Sequence, residues 1–245
     1  MTSRPVVIIS PARDTHAIAV RDRLAASGVP VRLLDTSERM PITLHEQLEH
    51  VEIGGELVTP STVYVRDPGV DPLVTAIVHR WEAASIPTYN PLSAFQRISK
   101  PYQLALLAAA QLPVPRTRWT NDPGAVCAQD QLTGEHVRVY VLDRQVIASV
   151  TQAMAHHALS DALRRTCRRA AEVLGLRFTG IDLQADDSGK LHILELDPSP
   201  TFLEVDDRAG SDVLGALCAA LAPPLAAATT DDPPTARAHR RSSKQ

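Results

Sequence analysis

The sequence predicts an α/β fold, in which a domain with a parallel sheet over residues 1–92 precedes a second α/β domain over residues 93–222. Two observations lead to this prediction. Short apolar runs alternate with helical patterns through the first ninety residues, and such alternation favours a mostly parallel sheet covered by helices. Two strand patterns that carry carboxylates, at 180–183 and 193–198, then lie in the second half of the chain.

Each element of the first domain has a local signal. Residues 6–9 form a short apolar run, as expected of a strand buried on both faces. A helical pattern stops at Gly28, which is a favoured helix terminator. The predicted elements are strands at 6–9, 31–34 and 62–66, helices at 15–27 and 71–84, a hairpin at 51–58 and a short segment at 86–90.

The second domain is predicted in the same way. A Leu- and Ala-rich helix over 100–111 is stopped by Pro113 and Pro115. The stretch 120–123 has the pattern of a helix N-terminus, with proline in the first turn. The remaining predicted elements are strands at 136–142 and 145–150, a helix at 160–174, the carboxylate-bearing strand pair and a last helix at about 211–221.

Composition narrows the class of protein. The 245 residues are 44% hydrophobic and 22% charged with a net charge of −3, so no overall positive field draws the chain to nucleic acid or to a membrane surface. Cys127, Cys167 and Cys218 show no metal-binding or disulfide spacing. No signal peptide or membrane-spanning run is visible. We therefore expect a cytoplasmic protein with no nucleic-acid or membrane partner, and a disordered tail over the Pro- and Ser-containing residues 223–245.

The strand pair carries the clearest chemical signal. Glu195 and Asp197 point to the same face of a strand, because side chains alternate along it. If Asp182 on the neighbouring strand shares that face, three carboxylates meet and repel one another unless a cation lies among them. Oxygen ligands of this kind suit magnesium or manganese, usually completed by phosphate oxygens. The alternative is a hairpin edge whose acidic residues only face water.

These residues also carry a family resemblance. Gly-Ile-Asp-Leu, a turn and Ile-Leu-Glu-Leu-Asp-Pro-Ser-Pro resemble the metal-binding end of the ATP-grasp carboxylate–amine ligases, whose pattern is typically Gly-Val-Asp and then Glu-Val-Asn-Pro-Ser-Pro. The resemblance implies a pre-grasp parallel-sheet domain followed by a truncated ATP-grasp domain. It also implies that Asp182, Glu195 and Asp197 hold magnesium against the phosphates of ATP. Asp197 replaces the usual Asn and adds a negative charge that must be balanced.

Further segments extend the resemblance. By similarity, Lys100 at a helix start contacts an ATP phosphate, and Arg138 on the strand at 136–142 neutralises the transferring phosphoryl group. Lys100 is equally compatible with an exposed helix-start lysine, and Arg138 with a surface strand residue. The segment 112–123 is similar to the ligases that macrocyclise ribosomally made peptides, the graspetide or microviridin-type maturases, and a glutamate-ligase-like branch is also similar.

The sequence departs from the family pattern in a segment that the family uses to bind ATP. Family members carry a long segment that supplies a second phosphate-binding lysine, a glycine-rich loop and an adenine-gripping hinge, whereas only 124–135 remains here. His156 and His157 stand where the family usually has an arginine, and they fit a solvated turn as well as a phosphate or metal contact.

Three functions follow from the resemblance. The first is an ATP- and magnesium-dependent ligase, which activates a carboxylate of a peptide or amino-acid substrate as an acyl phosphate for attack by an amine or hydroxyl. The second is a degenerate, non-catalytic homologue that binds a peptide or a protein partner. The third is a ligase whose missing lobe comes from a partner chain.

Overall fold

Two four-stranded sheets organise the protein in the computed structural model, which describes residues 4–122, 125 and 128–222. The first sheet is parallel throughout, in the order β2-β1-β6-β7. Its strands are β1 Val6–Ser10, β2 Val31–Asp35, β6 Thr62–Val65 and β7 Thr88–Tyr89. All five residues of β1 are buried, because helices or hairpins cover both faces of this central strand. The parallel sheet predicted for the first part of the chain is confirmed.

Aspartate side chains cap the N-termini of the two long helices that accompany this sheet. Helix α1, Thr15–Ala26, begins after Asp14, whose carboxylate accepts hydrogen bonds from the backbone N–H groups of His16 and Ala17. Helix α2, Pro72–Ala83, begins in the same way after Asp71. A three-stranded antiparallel sheet lies between β2 and β6 in the chain, with strands β3 Ile42–Leu44, β4 Val51–Ile53 and β5 Glu56–Val58. The sequence predicted the β4–β5 hairpin but not β3.

The second sheet is antiparallel, in the order β11-β10-β12-β13. Its strands are β10 His136–Leu142, β11 Gln145–Thr151, β12 Phe178–Ala185 and β13 Leu191–Asp197. The helices α4, Lys100–Ala109, and α5, Asp161–Leu174, cover one face. They share a core with Val137, Val139 and Val141 of β10, so the even-numbered residues of this strand point to the opposite face.

Two short helices join the sheets. Helix α6, Leu203–Ala209, was not predicted; helix α7, Val213–Leu221, was predicted about two residues longer. Helix α7 packs against α1, and its residues Leu217 and Leu221 share a core with Tyr140 of the second sheet. A four-residue helix α3, Leu92–Phe95, follows β7. One continuous apolar core therefore connects both sheets through α7.

The helix predicted to begin at 120–123 would fall mostly on residues outside the described part of the chain, and none of the described residues 120–122 and 125 is helical. Instead, β8, Thr117–Arg118, pairs with β9, Ala128–Gln129, and Arg116 bonds Asp130 at the end of this pair. The N–H of Asp122 donates to the hydroxyl of Thr120, so the threonine side chain supports a local turn in place of a helix cap. Pro123, Cys127 and the predicted tail over 223–245 lie outside the described residues.

The other two cysteines agree with the expectation of reduced thiols. Cys167 and Cys218 are free and buried, and burial raises the pKa of Cys167 to about 12 and that of Cys218 to about 11. Across the described segments, we find no helix with the length and apolar surface that a membrane crossing demands.

Candidate functional site

Three charged residues form a row across the second sheet. Arg138 of β10 lies opposite Asp182 of β12, which lies opposite Glu195 of β13. Directly opposed residues of antiparallel strands point to the same face, so this row projects from the face that α4 and α5 leave uncovered. Asp197 lies one pleat further along and opposite Gly180. The structure therefore brings Arg138 together with the three carboxylates that the sequence singled out.

Arg138 lies between two of the carboxylates. Its Nη2 is 3.2 Å from Oδ2 of Asp197, and its Nε is 3.6 Å from Oδ1 of Asp182. Nε2 of His136 is 3.8 Å from the same Oδ1 of Asp182. The side chains of Arg138 and Asp182 are 26% and 15% exposed, so their attraction is only partly screened by water. The guanidinium thus offsets much of the repulsion among the acidic groups.

The oxygen set fits a magnesium ion that is shared with phosphate. Oδ1 of Asp182 and Nε of Arg138 are buried and have no hydrogen-bond partner, so Asp182 has acceptor capacity that its ion pairs with Arg138 and His136 do not use as hydrogen bonds. No three His, Cys, Asp or Glu side chains of the described segments come close enough together to enclose a metal ion. Magnesium is commonly held by one or two carboxylates with substrate phosphates completing the shell. The site suits that open arrangement better than a closed protein cage.

Gly180 leaves space for the side chain of Arg138 to reach Asp197. A Cβ atom at position 180 would lie 2.9 Å from Cβ of Pro200 and 3.1 Å from both Nε and Nη2 of Arg138. Contacts this short would displace the guanidinium or the loop that carries Pro200. The glycine of the Gly-Ile-Asp motif is therefore needed for space above the strand, next to the charged row.

Lys100 extends the charged row from helix α4. Its Nζ is 3.7 Å from Oε2 of Glu195, and the two side chains are 41% and 45% exposed. One turn later, Gln103 is buried and binds both backbone groups of Leu196: its amide N–H donates to the carbonyl at 2.9 Å, and its amide oxygen accepts from the N–H at 2.8 Å. Because β13 is the last strand of its sheet, this side chain replaces a strand partner and fixes Lys100 beside Glu195.

The loop after Asp197 is fixed by residues of the first half of the chain. Asn90 is fully buried: it donates to the carbonyls of Pro198 and Phe178 and accepts two backbone N–H groups. Arg66, at the end of β6, donates to the carbonyl of Pro200 at 2.9 Å and to Asp14 at 2.6 Å. Burial alone would raise the pKa of Asp14, but the hydrogen bond from Ala17 and the pairing with Arg66 leave it lowered.

The sequence did not assign Gln103 or Arg66 to the site. Both are polar residues that become buried, at 1% and 4% exposure, and buried polar groups nearly always have specific partners. The sequence could have pointed to Gln103 as a site residue, since it lies three residues after Lys100 on the same helix face. Arg66 had no such signal, because its partner loop is more than a hundred residues away in the chain.

A cavity of about 150 Å³ adjoins the charged row, and its wall includes His136, Arg138 and Tyr140 of β10 together with Gln152 and Glu204. The hydroxyl of Tyr140 donates to the carbonyl of Thr201, and burial raises its pKa to about 12, so it remains protonated. Tyr140 is therefore a fixed wall of the cavity.

The two adjacent histidines lie beyond β11, on the Arg138 side of the charged row. His156 forms an isolated bridge with Val150, and His157 lies with Nδ1 3.5 Å from Glu135. Both the solvated turn and the phosphate or metal contact stay open for these histidines.

Comparison with curated sequences gives partial matches. No protein-family profile matches the chain. A probable alpha-L-glutamate ligase of Shewanella halifaxensis is 29% identical over 99 residues, which span 34% of this chain and 21% of the relative. A probable alpha-L-glutamate ligase of Cellvibrio japonicus is 28% identical over 104 residues, spanning 36% and 34%. The chain thus matches only about a fifth to a third of the length of these curated relatives.

Comparison with solved structures gives nearly complete matches. The ATP-grasp ligase PsnB, in complex with a phosphomimetic variant of a minimal precursor, Mg and ADP, is 31% identical, and the match covers 89% of this chain and 98% of that chain with a TM-score of 0.81. The macrocyclase MdnB from Microcystis aeruginosa MRC is 19% identical, with coverages of 89% and 99% and a TM-score of 0.74. At 19% identity, the match with MdnB supports only the fold.

Proposed function

The chain belongs to the ATP-grasp ligases, and we propose that it is an ATP- and magnesium-dependent ligase that joins a carboxylate of a peptide to an amine or a hydroxyl. The observation that carries this proposal is the row of Arg138, Asp182 and Glu195 on one open face, with Lys100 at its end. Such a row combines oxygen ligands for a divalent cation with two cations for phosphate.

The proposed metal ligands are Asp182 and Glu195, with Asp197 beside them. Magnesium, with manganese as the alternative, would neutralise charge on the phosphates and on the transferring group when bound there. The Asp182 oxygen that has no hydrogen bond supports this assignment, and so does the position of Glu195 on the open face of the sheet. Lys100 is proposed to contact a phosphate, because its ammonium group is a flexible point charge at the edge of the row.

The proposed reaction has two steps. A carboxylate oxygen of the substrate attacks the γ-phosphorus of ATP, the bond from that phosphorus to the bridging oxygen breaks, and ADP leaves. An amine or hydroxyl then attacks the acyl carbon of the acyl phosphate, and inorganic phosphate departs with the bonding electrons. The nucleophile loses its proton to water or to the departing phosphate. Arg138 is proposed to stabilise the charge that builds on the phosphoryl oxygens, since a fixed cation does so without reorganisation.

A peptide is the proposed substrate class. The related ligase PsnB is complexed with a precursor peptide, and this chain is about a third identical to it over nearly the whole of that chain. The cavity beside Arg138 supports the proposal, because its wall places His136 and Arg138 where a carboxylate would enter. Free buried thiols and dependence on ATP support a cytoplasmic location.

A non-catalytic role as a peptide- or partner-binding protein is the second candidate. One observation favours it: between α4 and β10 the described residues contain only two two-residue strands, β8 and β9. No described residue of this segment is a lysine. A partner chain that completes the nucleotide site is the third candidate, and it predicts nucleotide binding only in a complex.

Thermal denaturation with magnesium and ADP separates these candidates. If the site is complete, ligand at a hundred times its Kd should stabilise the chain by about 2.7 kcal/mol, or by roughly 5–10 °C in Tm. The double variant D182N/E195Q should lose the magnesium-dependent part of this shift. The control D22N/E46Q removes two exposed carboxylates far from the row in the chain and should keep it. A wild-type chain without any magnesium-dependent shift would rule out an autonomous ligase.

Turnover is then measured by mass spectrometry of a peptide that contains both acidic and nucleophilic side chains. Each new amide or ester bond should lower the peptide mass by one water and release one ADP. A chain that binds magnesium and ADP but never modifies any such peptide would support the non-catalytic candidate.

A further inference from the structure

A cavity lined by arginines lies on the other side of the second sheet from the carboxylates. Its volume is about 300 Å³, and four of its seven lining residues are arginines; the lining comprises Arg144, Gln145, Val146, Asp161, Arg164, Arg165 and Arg168. Arg144 comes from the turn between β10 and β11, and the other three come from α5. We refer to it as the arginine cavity. It shares no lining residue with the cavity beside Arg138.

The arginines of α5 are held together against their mutual repulsion. Arg164 and Arg168 are four residues apart, so their side chains are neighbours on one helix face, where like charges destabilise a helix. Arg144 is paired with Glu172 at 2.9 Å. Among the residues that the structure describes, the side chains of Arg164, Arg165 and Arg168 make no ion pair or hydrogen bond. Three unpaired arginines therefore lie on one side of the cavity, and Asp161 is the one acidic residue of its wall.

We propose that the arginine cavity binds an acidic segment of a peptide through its carboxylates. Guanidinium groups bind carboxylates through paired hydrogen bonds. Arg164 and Arg168 are separated by about 6 Å along the helix axis. An extended peptide presents alternate side chains about 7 Å apart, so two carboxylates at positions i and i+2 would match them.

A peptide fits this cavity better than a nucleic acid does. The chain has a net charge of −3, and Asp161 lies in the cavity wall itself, where it would repel a phosphate backbone. No aromatic side chain lines the cavity, and bases would therefore have no ring to stack on. The proposal does not depend on catalysis at the carboxylates, because it concerns binding on the opposite side of the sheet.

Fluorescence anisotropy tests the proposal on the full chain. The probe is a short fluorescein-labelled polyglutamate peptide, and we expect saturable binding that weakens as salt is raised. The variant R164Q/R168Q should bind it about tenfold more weakly. The variant D161N should bind it about two- to fivefold more tightly, because the one acidic group of the cavity wall is neutralised.

The matched control is R13Q/R23Q, which removes two exposed arginines at helix α1 and should leave the affinity unchanged. Because R164Q/R168Q also relieves repulsion between like charges, its melting temperature should be no lower than that of the wild type, which excludes misfolding as the cause of weaker binding. The proposal is overturned if the probe does not bind at low salt, or if R164Q/R168Q and R13Q/R23Q behave alike. Tighter binding of single-stranded oligothymidylate of equal charge would also overturn it, in favour of nucleic acid.

Discussion

Replacing Gln103 with methionine should loosen the strand that carries Glu195 and Asp197. Methionine has nearly the same length and shape as glutamine, so the helix α4 keeps its packing, but it can neither donate to the carbonyl of Leu196 nor accept from its N–H. Both backbone groups lie at the outer edge of β13, where no strand follows. The substitution therefore isolates two hydrogen bonds with little change in volume.

The magnitude follows from the burial of this contact. Gln103 is 1% exposed, so water cannot readily replace it. Each buried backbone group left without a partner costs about 1–3 kcal/mol, and some relaxation at the strand edge is expected, which gives a loss of about 2–4 kcal/mol for the pair. For a chain of this size, that corresponds to a fall of about 5–15 °C in melting temperature. Binding of magnesium and ADP should weaken about tenfold, because the support of the proposed metal ligand Glu195 is removed.

Urea denaturation followed by circular dichroism measures the first effect, and calorimetric titration with magnesium and ADP measures the second. The matched control is Gln96→Met, the same chemical change at an exposed position after helix α3. A Q103M unfolding free energy within about 0.5 kcal/mol of wild type, or an equal loss in Q96M, would refute the role assigned to Gln103.

Four further predictions concern the charged row and its surroundings. Gly180→Ala should lower the unfolding free energy by about 1–3 kcal/mol in urea titrations, because its Cβ would meet Pro200 and the guanidinium of Arg138; an unchanged value would mean that the loop has room to move. Arg138→Met should lower kcat for peptide modification by about 100- to 1,000-fold, whereas Lys100→Met should mainly raise KM for ATP and leave stability within about 1 kcal/mol, since its pairing with Glu195 is exposed. His16→Gln should flatten the loss of stability between about pH 7.5 and pH 5.5. Burial and the nearby Arg66 lower the pKa of His16, so the unfolded chain takes up a proton at a higher pH than the folded chain and acidification favours unfolding; equal pH profiles of wild type and variant would contradict this.

Local patterns were sufficient to predict most of the individual elements. The apolar run at the start of the chain is β1, and Gly28 and Gly175, which both have positive φ angles, lie just after α1 and α5. These signals act over a few residues, so they can be seen without knowing the fold. Helix α6 escaped because its sequence, Leu-Glu-Val-Asp-Asp-Arg-Ala, presents only one buried side chain, Val205, and little apolar periodicity.

The candidate site was predictable in part for the same reason. Alternation along a strand places Glu195 and Asp197 on one face from the sequence alone, but the position of Asp182 on that face required the strand register. The contact of Arg138 with Asp197 could not be predicted, because it depends on the empty space above Gly180 across two strands. The supports from Asn90 and Arg66 depend on how distant segments pack, and no local pattern contains that information.

Asp197, where the family usually has asparagine, sets the net charge of the row. Asp182, Glu195 and Asp197 carry three negative charges, whereas Arg138 and Lys100 carry two positive ones, so the row keeps one net negative charge and still attracts a cation. An asparagine at this position would leave the row neutral and would bind the guanidinium less strongly. The guanidinium of Arg138 lies closer to Asp197, with Nη2 at 3.2 Å from Oδ2, than to Asp182, with Nε at 3.6 Å from Oδ1. Oδ1 of Asp182, at the centre of the row, has no hydrogen bond, and the magnesium ion proposed above would meet Glu195 and the phosphates there.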